Sequence, residues 1–304
     1  MQDIPRDQLT GALRRGAVKK HVAAIHVSGK LTLLQRKLSN VLLLNAYDTL
    51  ISRPKHTIDA RTLSLMIGYN SNDTATLRDA LRGLAETVAE WDMLDEKGRQ
   101  EWGVSSLLSY AKLKGGICEY AYSPALAEKL HDPKVFALIN LNIQRRFTSG
   151  HALALYENCY RFVRTGSTGW WPMDLFRRLM GVEGSAYYET FKHLNAKIIK
   201  PAVAEVNRTS NIVLTPETKK TGRAVTDGGA LGRGGERGGI HIEALAHEGV
   251  LVELHPVRAL LVQAAQVMDD LYWQQSWDGD RAALRLSPLR DGGTCASISF
   301  PVPP

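Results

Sequence analysis

Lys192, His193, Lys197 and Lys200 fall within the stretch Tyr187–Lys200 at spacings that gather them on one side of a helix. At about 100° per residue, Tyr187, Phe191, Leu194 and Ile198 form the other, half-buried stripe. Apart from its cations, the first side carries Ser185, Ala186, Glu189 and Ala196 and no large apolar residue. Short side chains and cations suit a helix that enters a DNA major groove, where bulk strikes the walls and positive charge neutralises phosphates. A solvated surface face is the competing reading of the same stripe.

Other residue types that could do chemistry form weaker constellations. Tyr156 and Tyr160, in YENCY, stand four apart on a helix, as tyrosines do in enzymes that nick DNA through a phosphotyrosine. Such enzymes hold a divalent metal with closely paired histidines, and no HxH occurs here. His241, His247 and His255, with Glu243 and Glu248, are scattered, and HEGVL is not HExxH. GRGGERGG is neither GxGxxG nor GxxxxGK[ST], so no phosphate-binding loop is present. Cys118, Cys159 and Cys295 show no CxxC spacing. The expectation is therefore no catalytic residue, no metal, no cofactor and no enzyme, with nicking through Tyr156 or Tyr160 as an alternative.

The chain has 304 residues and a net charge of +7, unevenly placed. Up to Arg223 there are 32 Lys and Arg against 21 Asp and Glu; afterwards there are six arginines against ten acids. A basic body points toward nucleic acid. No apolar run approaches the roughly 20 residues of a membrane span, and the N-terminus lacks a secretory pattern, so a cytoplasmic protein without a membrane partner is expected.

The positioning elements follow from periodicity. After an irregular basic leader, Leu31–Asp48 reads as a helix with Leu31, Leu34, Leu38 and Val41 in register; this resembles a short coiled-coil seam or, alternatively, a helix packed inside its own domain. A short helix enters at Asp59 and closes at Gly68, and a third carries Leu77, Leu81, Leu84 and Val88. Strands follow in VAEWDML, QEWGVSSLLSYAKL and ICEYAYS. The order then returns: a helix from His151, a short helix between Pro172 and Gly181, the basic helix, and NIVLTPETKKTGRAV as strand, turn and strand. The stripes 77/81/84/88 and 187/191/194/198 have identical spacing, which reads as a structural duplication. DGGALGRGGERGG is a glycine-rich linker, an amphipathic helix is expected from Pro256, and the last thirty residues have no clear pattern.

These strings resemble a family. YYETFKHLNAKIIKPAVAEVN, preceded by LFRRLMG and ALALYENCYRF, is similar to the second winged helix of plasmid replication initiator (Rep) proteins that bind iterons, the direct repeats of an origin. KLTLLQRKLSNVLLLNA, TLSLMIGYNSND and LRDALRGLAETVAEWD fit the first. The resemblance implies an α+β fold of two tandem winged-helix domains with a divergent C-terminal tail. The expected layout is 1–29 basic leader, 30–147 first winged helix, 148–226 second winged helix and main DNA-binding domain, and 227–304 linker and tail. It implies binding of double-stranded DNA at iterons and an operator, a homodimer in equilibrium with monomer, origin opening, and recruitment of a host replication initiator and the replicative helicase. A dimeric transcriptional repressor is a further alternative. By the likeness, Ser185, Lys192, His193, Lys197, Lys200 and Arg208 face DNA, and Lys219, Lys220 and Arg223 form the gripping wing. Arg78 and Arg82 are their first-domain counterparts. Pro201 is expected to kink the chain toward the next strand, with Glu205 and Asn207 bracing the exit. The departure is that TGRAV runs into glycines instead of a closing strand.

Overall fold

The computed structural model describes residues 4, 7, 9–21, 24, 31–69, 74–94, 100–131, 133, 136–219, 239–247, 271–278, 281–288 and 296–301. They belong to two compact units, Met1–Val250 and Leu251–Pro304. No helix among the described residues is long and apolar enough to cross a membrane.

The first unit begins with strand β1 (Ala17–His21), which corrects the irregular leader expected over residues 1–29. β1 pairs antiparallel with a much later strand, Val18 opposite Ile139, and Leu9, Leu13 and Val18 are buried in the common core. Helix α1 (Leu33–Ala46) starts at a capping box: Thr32 accepts from the Gln35 amide, and the Gln35 side chain accepts from the Thr32 amide. Leu38, Val41 and Leu42 on α1 are wholly buried, each contributing roughly 1.5–3 kcal/mol of hydrophobic stabilisation. Asn45 donates to the Thr57 carbonyl and the Tyr120 hydroxyl. α1 is thus covered by other segments of this chain and does not form a coiled-coil seam.

β2 (His56–Asp59) leads into α2 (Ala60–Ile67), whose first amides are capped by the Asp59 carboxylate. α3 (Thr74–Glu86) buries Leu77, Leu81 and Leu84, whereas Val88 belongs to the next strand and is exposed. A hairpin of β3 (Val88–Leu94) and β4 (Gln100–Ser106) follows, then β5 (Tyr110–Lys114) and β6 (Ile117–Ala121). Sheet order is β2-β6-β5. α4 (Pro124–Leu130), β7 (Phe136–Asn140), which is the partner of β1, and α5 (Leu141–Arg146) complete the first domain.

The second domain repeats the plan. α6 (Gly150–Tyr160) is capped by Ser149, and β8 (Ser167–Pro172) leads into α7 (Met173–Leu179). Gly68 and Gly181 both adopt φ 72°, and each donates its amide to the carbonyl three residues back, so the two short helices stop by the same left-handed turn. α8 (Phe191–Leu194), a π-turn (Asn195–Ile199) and α9 (Lys200–Thr209) form one continuous helix, residues 191–209. β9 (Ile212–Lys219) and β10 (Gly239–Ala246) close a sheet of order β8-β10-β9. In each domain the strand before the short helix flanks the last strand, and the middle strand in sequence lies at the far edge. The second domain therefore reaches Ala246, beyond the expected boundary at 226. Its closing strand is β10, while the strand expected at residues 223–225 lies outside the described residues.

The second unit is an antiparallel meander of β11 (Leu271–Asp278), β12 (Arg281–Pro288) and β13 (Ala296–Pro301), with Trp273 opposite Leu286 and Leu284 opposite Ile298. This replaces the patternless tail expected there. The amphipathic helix expected from Pro256 lies outside the described residues, except for its last three, which are in β11.

Candidate nucleic-acid interface

Phe191 is partly buried, and Leu194, Ile198, Ile199, Ala202 and Val206 are buried against the second domain. The apolar stripe runs 191/194/198 and then resumes at 199/202/206, a slip of one position. The π-turn absorbs that slip, with the Lys200 amide reaching the Asn195 carbonyl five residues back. Pro201 explains it: proline lacks the amide, and its ring crowds the carbonyl four residues earlier, so a widened turn just ahead relieves the clash. The helix then runs on to Thr209. Pro201 does not turn the chain toward the next strand, which corrects the expected kink; the adjacent Ile198 and Ile199 were the available signal.

The solvent side of residues 191–209 presents Lys192, Ala196, Lys197, Lys200 and Arg208, and among the described residues none of those four cations forms an ion pair with a carboxylate. Tyr187 departs from the expected core stripe. It sits in a 3-10 turn (Ala186–Glu189), half exposed, and its ring stacks on His193 with centroids 4.1 Å apart and planes at 13°. The His193 Nδ1 lies 3.2 Å from the Tyr187 carbonyl. His193 is thus held at the start of the helix by an aromatic lid. Ser185 is half-buried beside the same turn, its carbonyl accepting from Tyr188 and Arg177, so its backbone is structurally engaged.

The helix exit is braced as expected. Asn207 donates to the Leu214 carbonyl and accepts from the Leu214 amide, tying α9 to β9. The Glu205 carboxylate accepts from the Thr148 amide and hydroxyl and from the Ser149 amide, which fastens α9 to the start of α6, where a negative charge also meets the positive helix end.

At the base of the second wing, the Lys219 ammonium lies over the Trp170 ring, 4.7 Å from its centroid, a cation–π contact. A Cβ on Gly239, opposite Lys219, would come within 3.2 Å of the Trp171 carbonyl oxygen, so only glycine fits there without a shift. Lys220 and Arg223 lie outside the described residues. In the first domain Arg78 and Arg82 are exposed on α3, but Arg82 pairs with Asp79 at 3.4 Å. The first wing, β5–β6, carries Lys112 and Lys114 on its outer strand, two cations absent from the expected set. Their signal was the KGG turn, in which Gly115 and Gly116 take φ 58° and 76°.

Tyr156 is fully buried between Phe147 and Tyr160 and donates to the Asn211 side chain. Burial, with Tyr160 alongside, raises its hydroxyl well above the ordinary range. A neutral phenol without solvent access cannot attack a phosphodiester. Next to it, Glu157 joins α6 to the first domain. It accepts from Lys20 at 3.2 Å, Arg36 at 3.1 Å and Asn40 at 2.6 Å, all of them buried. Burial alone would raise the Glu157 carboxyl, but Lys20, Arg36 and the Asn40 hydrogen bond outweigh it and hold it below the usual range. Among the described residues no cluster of His, Cys, Asp or Glu could hold a metal ion.

Residues 17–160 match the family model described as Initiator Replication protein, WH1, and residues 172–227 match Initiator Rep protein, WH2. Together they span more than half of the chain. No curated protein matches it. A crystal structure of selenomethionine derivatives of domains 2 and 3 of RctB is similar, with a TM-score of 0.41 at 10% identity, covering 70% of this chain and 82% of that one. A second RctB structure, also of domains 2–3, has a TM-score of 0.38 at 11% identity, covering 70% and 81%.

Proposed function

Because the chain belongs to the initiator replication (Rep) protein family, with both winged-helix domains matched, we propose that it starts plasmid replication by binding iterons. In this reading it is a DNA-binding protein and not an enzyme. It binds direct repeats at the origin as a monomer, helps open the adjacent duplex, and brings in the host initiator and replicative helicase in the cytoplasm. The observation that carries it is the pair of winged helices with identical strand order, the second of which presents Lys192, Lys197 and Lys200 unopposed by acid.

A homodimer that represses its own gene is the second role. What supports it is the β3–β4 hairpin, which exposes Val88, Trp102 and Val104, with Trp102 62% accessible; exposed apolar residues of this size mark association surfaces. The burial of Tyr156 disfavours nicking through that residue. The test is a gel-shift comparison of direct and inverted repeats from the plasmid origin, with a supercoiled sample watched for strand breaks. Tighter binding to direct repeats with intact strands supports the initiator reading. A preference for inverted repeats alone would favour the repressor, and metal-dependent cuts would overturn the non-enzymatic reading.

A further inference from the structure

Resting on that DNA-binding reading, we propose that Tyr187 is a specificity-determining residue of the second domain. Its ring edge packs on the 5-methyl group of one thymine in each repeat, and His193 and Arg177 are the positioning residues that hold it there. Helical spacing places Tyr187 in the core stripe, but its neighbour has that role. Tyr188 packs against the core, whereas Tyr187 is 50% exposed and meets the Tyr188 ring edge-on, with centroids 5.2 Å apart and planes at 80°.

The exposed ring is held in place. One of its faces is covered by the His193 imidazole at 4.1 Å, and the His193 Nδ1, 3.2 Å from the Tyr187 carbonyl, ties that imidazole to the backbone of the residue it supports. The turn itself is stapled by Arg177, which donates to the Glu183 and Ser185 carbonyls at 3.1 and 3.4 Å and stands 3.9 Å from Glu189, the acid of the same turn. The Ser185 amide donates to the Val182 carbonyl, and the Tyr188 amide to the Ser185 carbonyl. A surface ring already fixed in one orientation loses little further freedom when a ligand covers it, so its contact area is gained at low entropic cost.

Place and chemistry narrow the ligand. Residues at the N-terminal end of a helix set in the major groove reach base edges. Tyr187 lies four residues before Phe191, where the helix begins, and close in sequence to the exposed Lys192. Its ring has no charge to offer a phosphate. In the major groove the thymine 5-methyl group is the apolar feature of the base edges, and apolar side-chain surface is what meets it. Tyr187 therefore adds a preference for sequence that cations on phosphates cannot supply.

The test uses the full chain and duplexes of one origin repeat in which each thymine in turn is replaced by uracil, a change that removes only the 5-methyl group. Fluorescence anisotropy compares the parent with Tyr187→Ala, Tyr187→Phe, His193→Ala and, as a comparator, Lys192→Ala, with circular dichroism as a check on each fold. The parent should lose about fourfold in affinity at one thymine, the worth of one buried methyl group. Tyr187→Ala should bind the unmodified repeat more weakly and lose nothing further at that thymine, Tyr187→Phe should keep the parent's sensitivity, and His193→Ala should reduce it. On random-sequence DNA, Tyr187→Ala should keep the parent's slope of log K against log salt, whereas Lys192→Ala should lower that slope by about 0.9 and still sense the methyl group. In a measurement that needs no variant, 5-iodouracil at the same thymine puts iodine where the methyl stood, and irradiation should cross-link it to Tyr187, identified by peptide mapping. A parent insensitive to uracil at every thymine, a Tyr187→Ala profile equal to the parent's, or a cross-link to another residue would overturn the role of Tyr187 while leaving the DNA-binding reading intact. A parent chain that itself fails to bind the repeat would overturn both.

Discussion

The two winged helices share one strand order and differ in what surrounds it. In the first, the wing turns tightly through Gly115 and Gly116, an extra hairpin is inserted, and the third helix is regular with one of its arginines held by Asp79. In the second, β9 and β10 are separated by residues 220–238, and the third helix carries a π-turn and bare lysines. The lesson is a division of labour. The first domain gives part of its exposed surface to an apolar hairpin and pairs one arginine of its third helix with an acid, whereas the second leaves the lysines of its third helix exposed and, among the described residues, without a carboxylate partner.

The largest expected effect tests whether the two act as one body. Glu157→Gln leaves Lys20 and Arg36 buried without their carboxylate, and breaking a buried pair this way costs about 3–5 kcal/mol. Denaturant unfolding should show that loss, and a Lys20→Met, Arg36→Met, Glu157→Leu triple variant should recover much of it. The Glu157 carboxyl is lowered in the folded state, so its contribution is full above the unfolded carboxylate range and is lost as pH falls through the folded value. Unfolding midpoints should therefore drop on acidification in the parent and change less in the triple variant.

Next comes the asymmetry itself. Lys192→Ala with Lys197→Ala should weaken origin binding by roughly 1–3 kcal/mol for each base-reading side chain removed, while Arg78→Ala with Arg82→Ala should cost less. Equal losses would erase the proposed division of labour. A smaller effect is expected for Pro201→Ala. With the amide restored, the π-turn can tighten to α geometry and rotate the start of the helix relative to its end by about 100°. Binding to the repeats should fall by about 1 kcal/mol, roughly fivefold, while affinity for random DNA stays near the parent value. The smallest effect is Gly116→Ala in the first wing, whose φ of 76° disfavours a side chain. The cost should be about 1 kcal/mol of stability by thermal unfolding, with DNA binding little changed.

Much of this was legible from residues alone. Asp59 and Gly68 bracket α2, and Leu77, Leu81 and Leu84 face inward on α3, because caps and periodicity act locally. What escaped detection depends on partners distant in sequence. β1 becomes a strand only because β7 lies beside it, and β10 is recognisable only through β8 and β9, across a glycine-rich stretch that reads as the end of the domain. The matched WH2 residues also stop at 227, short of that strand. Lys192, Lys197 and Lys200 were visible as a face. The recess that Arg146 and Arg208 line together was not, since no periodicity links the end of α9 to the end of a helix some sixty residues earlier.

The most direct test of the central claim is hydroxyl-radical footprinting of the chain on origin DNA carrying the repeats, run with the parent, Lys192→Ala/Lys197→Ala and Arg78→Ala/Arg82→Ala. Two protected blocks per repeat are expected, about one helical turn apart on one face of the duplex. The lysine double variant should abolish the footprint at concentrations where the arginine double variant still protects both blocks. A single block in the parent, or a footprint that survives the lysine changes and disappears with the arginine changes, would contradict the division between the two domains.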